Sequence, residues 1–172
     1  GPPERVYVGG DSAGGNLTLS LIAWVRDQGL RAPDAAVALS PATDMTLGSP
    51  SLKRNMDTDP MLAPMFKGLA RVPRPLLWWM MLAQNRLAPS NPVMSPVYGD
   101  LSGLPPTLVH ASEAELLLDD ARRYVNRAVE AGSPAQLETW AHMVHVWHMF
   151  YPELTEAREA WDEIGRFIAE VG

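Results

Sequence analysis

Ser12 is the residue around which chemistry can be built. It stands in Gly10-Asp11-Ser12-Ala13-Gly14, a G-x-S-x-G pattern continued by Gly15-Asn16-Leu17. Flanking glycines let a backbone bend sharply and leave room for a hydroxyl in a strained turn. A serine hydroxyl is a weak nucleophile until a base takes its proton, so the pattern gains meaning only with a base and an acid to orient it. Four histidines compete for the first role: His110, and the trio His142, His145 and His148 spaced three apart. Glu113, Glu115, Asp119 and Asp120 compete for the second, with Asp44 as an earlier rival. A phosphate-binding loop is the other reading of the glycine-rich turn, but neither G-x-G-x-x-G nor G-x-x-x-x-G-K-[ST] is present. A metal reading of the histidine trio lacks a carboxylate at ligand spacing.

The elements that would position these groups can be read from hydrophobic pattern. Arg5 to Gly9 is apolar and β-branched enough for a buried parallel strand, and Ala13 to about Gln28 reads as a helix apolar on nearly every side, hence buried. Ser12 therefore falls at a strand-to-helix turn, where free N–H groups and the helix dipole favour negative charge on a substrate oxygen. Gly29, Pro33 and Asp34 end the helix and lead into a second apolar run, Ala35 to Ser40, which is βαβ spelling and implies a parallel sheet. Thr107 to Ala111 is a third buried strand, with His110 inside it as a hydrogen-bonded core residue. Leu117, Ala121, Tyr124, Val125, Ala128 and Val129 then form one helical stripe, closed by Gly132 and Pro134. Ala135 to Trp140 is a less apolar strand suited to a sheet edge, and Leu154, Ala157, Trp161, Ile164, Ile168 and Val171 line a last helix that packs back on the sheet. Between Pro41 and Pro106 the pattern loosens around turn signals at 57–60 and 91–92, with one helix over Leu76 to Leu82 that carries Trp78 and Trp79. Asp44 reads most simply as a turn or helix cap.

Gly-Asp-Ser-Ala-Gly-Gly-Asn-Leu in this context resembles the nucleophile elbow of the α/β-hydrolase fold. More narrowly it is similar to the GDSAG branch of the hormone-sensitive-lipase-like (bacterial family IV) esterases. The resemblance implies a mostly parallel sheet with helices on both faces and a triad in the order Ser, Asp/Glu, His. Residues 115–120 correspond to the family's D-P-L-x-D-[ED] run, which puts Glu115 at the acid position without the family's proline and leaves Asp119 and Asp120 on the following helix. His145-Val146-Trp147 corresponds to an H-G-F type turn with valine for glycine, which makes His145 the base. Ala13 N–H, after the nucleophile, is the oxyanion donor. The family builds cap and acyl pocket from the region that here spans about 45–95, so Trp78 and Trp79, with Met143 and Trp147 near the base, are expected at a substrate pocket. The reaction implied is hydrolysis of short to medium acyl esters, with no cofactor. The family's H-G-G oxyanion motif does not occur in these residues, and the match runs from the nucleophile strand onward. A partner half upstream is therefore expected, and residues 1–172 alone are expected to be poorly soluble and inactive.

Composition sets the outer bounds. The 172 residues are 47% hydrophobic, which suits one globular domain with a real core. A net charge of −6 without a basic patch argues against nucleic acid as a partner, and no apolar run reaches the length of a membrane span. Arg122, Arg123 and Arg127 read as a solvated helix face. The partners expected are a small-molecule ester and the upstream half, and a homodimer is compatible with the sequence. Zero cysteines exclude disulfides and leave the redox compartment undecided. With no leader to read, localisation stays open, the cytoplasm being favoured.

Overall fold

Five consecutive buried residues, Ala35–Leu39, form strand β2, and their alternation sets the layers. The computed structural model describes residues 4–69 and 71–171. Ala36 and Ala38 point to one face with Val109 and Ala111 of β3 (Thr107–Ser112), under Leu19 and Ile22 of α1 (Ala13–Asp27) and under α5 (Leu118–Glu130). Ala35, Val37 and Leu39 point to the other face with Leu108, where α6 (Thr155–Val171) covers them through Ile164 and Phe167. A run apolar at every position is stable because both faces are covered. Fully buried Leu19, Ile22 and Leu108 each contribute about 1.5–3 kcal/mol by leaving water.

β1 (Tyr7–Asp11) and β4 (Ala135–Trp140) complete a parallel sheet in the order β1-β2-β3-β4. Register pairs Asp11 with Leu39, Leu39 with His110, and Ser112 with Trp140, so the carboxyl ends of all four strands open on one edge. In open α/β sheets this edge is where ligands bind. β4 alternates between half-buried and exposed, as its composition suggested for an edge strand.

Two elements differ from expectation. Among the described residues β1 pairs with β2 alone, and it alternates exposed with half-buried rather than being buried throughout. α1 is not buried on every side: Gly15, Thr18, Leu19 and Ile22 face the sheet while Leu17, Leu21 and Trp24 lie exposed. In α6 the expected stripe is present except at Trp161, which is 44% exposed and donates its indole N–H to the His148 carbonyl at 3.2 Å.

The stretch between β2 and β3 holds α2 (Ser51–Arg54), α3 (Ala63–Leu69) and α4 (Arg74–Asn85). Pro75 in the first turn of α4 and Arg86 in left-handed backbone after it (φ 58) account for its limits. α4 exposes Leu76, Trp79 and Met80. Among the described residues no helix is long and apolar enough to cross a membrane.

Candidate active site

Ser12 occupies the turn between β1 and α1 with φ 52 and ψ −113, a region that non-glycine residues rarely adopt. Such strain costs about 1–3 kcal/mol and persists only where surrounding bonds over-determine it. Here the Ser12 N–H donates to the Leu39 carbonyl at 2.8 Å, and its own carbonyl accepts from Asn16 N at 3.1 Å. The two glycines of the pattern are not equivalent. A Cβ on Gly10 would lie 2.4 Å from the Gly14 carbonyl oxygen, whereas a Cβ on Gly14 would meet nothing within 4 Å. Gly15, outside the pattern, is the second enforced position, since its Cβ would fall 2.9 Å from Pro41.

His145 follows β4 and is 5% exposed. Its Nε2 lies 2.9 Å from Ser12 Oγ and its Nδ1 lies 2.9 Å from Glu115 Oε2, so one imidazole bridges hydroxyl and carboxylate. Glu115 sits in the loop between β3 and α5 with no exposed surface and accepts the Ser112 N–H at 3.0 Å. Burial pushes its carboxyl pKa up, while the bonds from His145, Ser40 and Ser112 oppose the rise. Ala13 opens α1, and its N–H is one of those that a helix cannot satisfy internally.

The rival acids have other work. Asp120 is buried in α5 and accepts the Thr43 and Asp44 N–H groups at 2.7 and 2.9 Å, and also the Ser49 hydroxyl. Burial raises its pKa to about 6. Asp44 caps its own turn through Thr46 N at 2.9 Å and pairs with Arg123 at 2.6 Å. Burial would raise its pKa, but the Thr46, Arg123 and Tyr98 bonds together hold it below the usual carboxylate value. Arg123, assigned from sequence to a solvated face, is thus tied to a buried acid. Asp119 pairs with Arg54 at 3.2 Å, and exposed Glu113 accepts from Thr139 Oγ1 at 3.3 Å.

Among the other histidines, His142 is exposed, with φ 61. His110 and His148 form a buried pair, Nδ1 to Nε2 at 3.0 Å, and among the described residues the remaining nitrogen of each has no hydrogen-bond partner. Burial, and for His110 the neighbouring His148, lowers their pKa values to about 3 and about 4.

Of the expected pocket residues, Trp78 lines a cleft of about 240 Å³ with Met45, Leu47 and Met81, while Trp79 is 62% exposed. Ser12 and His145 do not line that cleft. Trp147 is a correction: it has no exposed surface and packs on Ala157 and Ala160 of α6, with Met143 half-buried beside it. A tryptophan two residues after the base reads as a pocket wall only if the turn faces outward. Here the left-handed backbone of Val146 (φ 51) leads it into the core.

Several positioning residues carried no sequence signal that marked them. Asn16 Nδ2 donates to the Ala42 and Met94 carbonyls at 2.5 and 2.9 Å, tying two loops to the serine's helix. Asn55 Nδ2 donates to the Glu113 and Glu115 carbonyls at 2.9 and 2.8 Å, and Asp59 accepts the Leu116 N–H at 2.9 Å. The turn signals at 57–60 thus belong to a clamp on the acid's loop. Ser112 Oγ donates to the Met143 carbonyl at 2.6 Å and accepts from Ala114 N at 3.1 Å, joining the acid's loop to the base's.

A parallel sheet with helices on both faces and a strained serine at a strand-to-helix turn, hydrogen-bonded to a histidine, defines the α/β-hydrolase class. Residues 1–149 match the family described as alpha/beta hydrolase fold, and the chain belongs to it. It is 37% identical over 170 residues to an acetyl-hydrolase of Streptomyces hygroscopicus, covering 97% of this chain and 53% of that protein. An esterase of Acinetobacter venetianus is 32% identical over 165 residues, with 96% and 52% covered. Among solved structures, EstE5 soaked with ethyl alcohol is similar with a TM-score of 0.83 at 37% identity, covering 96% of this chain and 53% of that one. An esterase from the bacterial hormone-sensitive lipase family gives 0.82 at 39% identity, with the same coverage. The chain spans about half the length of these relatives, which are esterases and hydrolases of one family.

Proposed function

We propose that the full-length protein is a serine carboxylesterase acting on short to medium acyl esters. The observation that carries this reading is the single imidazole of His145 held 2.9 Å from both Ser12 Oγ and Glu115 Oε2. In this mechanism His145 takes the hydroxyl proton as Ser12 Oγ attacks the ester carbonyl. Glu115 fixes the tautomer and stabilises the imidazolium. The tetrahedral oxyanion lies against the Ala13 N–H at the head of α1. His145 then gives its proton to the departing alcohol, and water, activated by the same imidazole, releases the acyl group from Ser12. Further oxyanion donors are assigned to the part of the full-length protein that corresponds to the relatives' other half. The region 45–95 is assigned to cap and pocket wall. An acetyl-hydrolase among the relatives, and an EstE5 crystal soaked with p-nitrophenyl butyrate, favour the short end of the range.

Ser12→Ala in the full-length protein should abolish hydrolysis of p-nitrophenyl esters with the circular dichroism spectrum unchanged. His145→Ala should be nearly as damaging and His142→Ala mild. Undiminished turnover in folded Ser12→Ala would remove the serine from the mechanism. Failure of an organophosphate to label Ser12 in the unaltered protein would favour a non-catalytic binding module. Rates that climb toward long-chain triglycerides would refute the substrate class.

A further inference from the structure

We propose that Ser40 is a positioning residue that holds the His145-bearing turn against the strands that lead to Ser12 and Glu115. The inference rests on the acid–base reading of Ser12, His145 and Glu115 given above.

Ser40 follows β2 at the carboxyl edge of the sheet, has no exposed surface, and holds a left-handed backbone with φ 48. A non-glycine residue stays in that region only when its surroundings fix it. What fixes it is a set of bonds, made by it and its neighbour, to the elements that carry the site. Its N–H donates to the His110 carbonyl at 2.7 Å, on the strand that leads to Glu115. The carbonyl of the preceding Leu39 accepts the Ser12 N–H at 2.8 Å, on the turn that presents the nucleophile. Its hydroxyl oxygen accepts the Val146 N–H at 3.3 Å, one residue past the base. The hydroxyl also helps to hold the Glu115 carboxylate ionised against the effect of burial.

A hydroxyl has one proton to give and two lone pairs to accept with, so the bond from Val146 leaves the Ser40 proton uncommitted. Val146 needs such a restraint, because a β-branched residue at φ 51 is in a conformation its side chain disfavours. Without the acceptor on Ser40, the Val146 N–H would be buried unpaired and the turn would be free to rotate the imidazole away from Ser12 Oγ. Ser40 does not itself touch the reacting atoms and acts through Glu115 and His145.

The test is Ser40→Ala in the full-length protein, with active sites counted by organophosphate burst titration so that misfolded molecules drop out. We expect kcat per titrated site to fall about tenfold, the loss of one hydrogen bond that keeps the imidazole aimed at Ser12 Oγ. KM should be unchanged, and the low-field proton resonance of His145 Nδ1–H should move upfield. Wild-type kcat per site with that resonance in place would overturn the proposal. So would an activity loss accounted for wholly by fewer titratable sites. If Ser40→Ala does not fold, Ser40→Cys carries the test, because a thiol is a weak donor and acceptor at the same place. A wild-type kcat per site in that variant would overturn the proposal. Full turnover in His145→Ala would overturn the acid–base reading itself, and this inference with it.

Discussion

Acidification should destabilise the fold through the His110–His148 pair. Both imidazoles are held neutral by burial, at about 3 and about 4 against an ordinary 6.5. A depressed folded value means that the unfolded chain binds the proton first. The stability is therefore intact above 6.5 and is lost as pH falls toward the folded values. At one pKa unit per about 1.4 kcal/mol, each histidine costs roughly 2 kcal/mol at about pH 5, and the pair roughly 4. Asp120 opposes this. Its pKa, raised from 3.8 to about 6, gives a contribution that is full below 3.8 and lost as pH rises through 6. Near pH 5 it returns only roughly 1 kcal/mol, so the histidines win. The assay is urea denaturation of the full-length protein followed by tryptophan fluorescence at about pH 7 and pH 5. His148→Gln keeps a donor and an acceptor but cannot titrate, and should reduce the pH-dependent loss by about 2 kcal/mol relative to wild type. The difference between the two proteins cancels Asp120 and every other carboxylate. An identical loss in both would show that the pair titrates normally and refute the reasoning.

Glu115→Gln should lower kcat by roughly a hundredfold to ten-thousandfold, through loss of the tautomer and of the charge beside the imidazolium. Asp119→Asn, which disturbs an ion pair with Arg54, should leave kcat near wild type, and steady-state kinetics giving the reverse ranking would move the acid along the chain. Gly10→Ala should prevent folding into an active form because its methyl would sit 2.4 Å from the Gly14 carbonyl oxygen, whereas Gly14→Ala meets open space. Thermal melts and turnover of the two variants check this, and equal tolerance would mean that the turn relaxes around a Cβ.

The order of strands and helices was legible because each strand here is a short run bounded by turn residues, with β2 and β3 apolar throughout and buried between covered faces. Position alone left Glu113, His142 and His148 open beside Glu115 and His145, and the choice among them came from the resemblance of residues 115–120 and 145–147 to the family's acid run and histidine turn. Exposure was less legible. Composition gave α1 apolar residues all round, but Leu17 and Trp24 face away from the sheet, and only the packing partner decides which apolar residues a helix covers. Trp147 was misplaced for a similar reason, since the direction of a side chain after the base depends on the φ of Val146. The positioning roles of Ser40, Asn16, Asn55 and Asp59 escaped because they are bonds to groups distant in sequence, and no local spacing encodes such bonds.

The hydrogen bond between Ser12 and His145 joins residues 133 positions apart, from the ends of the two outermost strands of the described sheet. Such a contact forms only after the intervening pairings are in register, and contacts of this separation are the slow ones in folding. The reactivity of Ser12 therefore serves as a completion signal for the whole sheet. In a refolding experiment, the time course of organophosphate labelling should lag behind the recovery of helical signal. The interval between the two curves would measure how long the chain spends with its helices formed but its outer strands not yet in place.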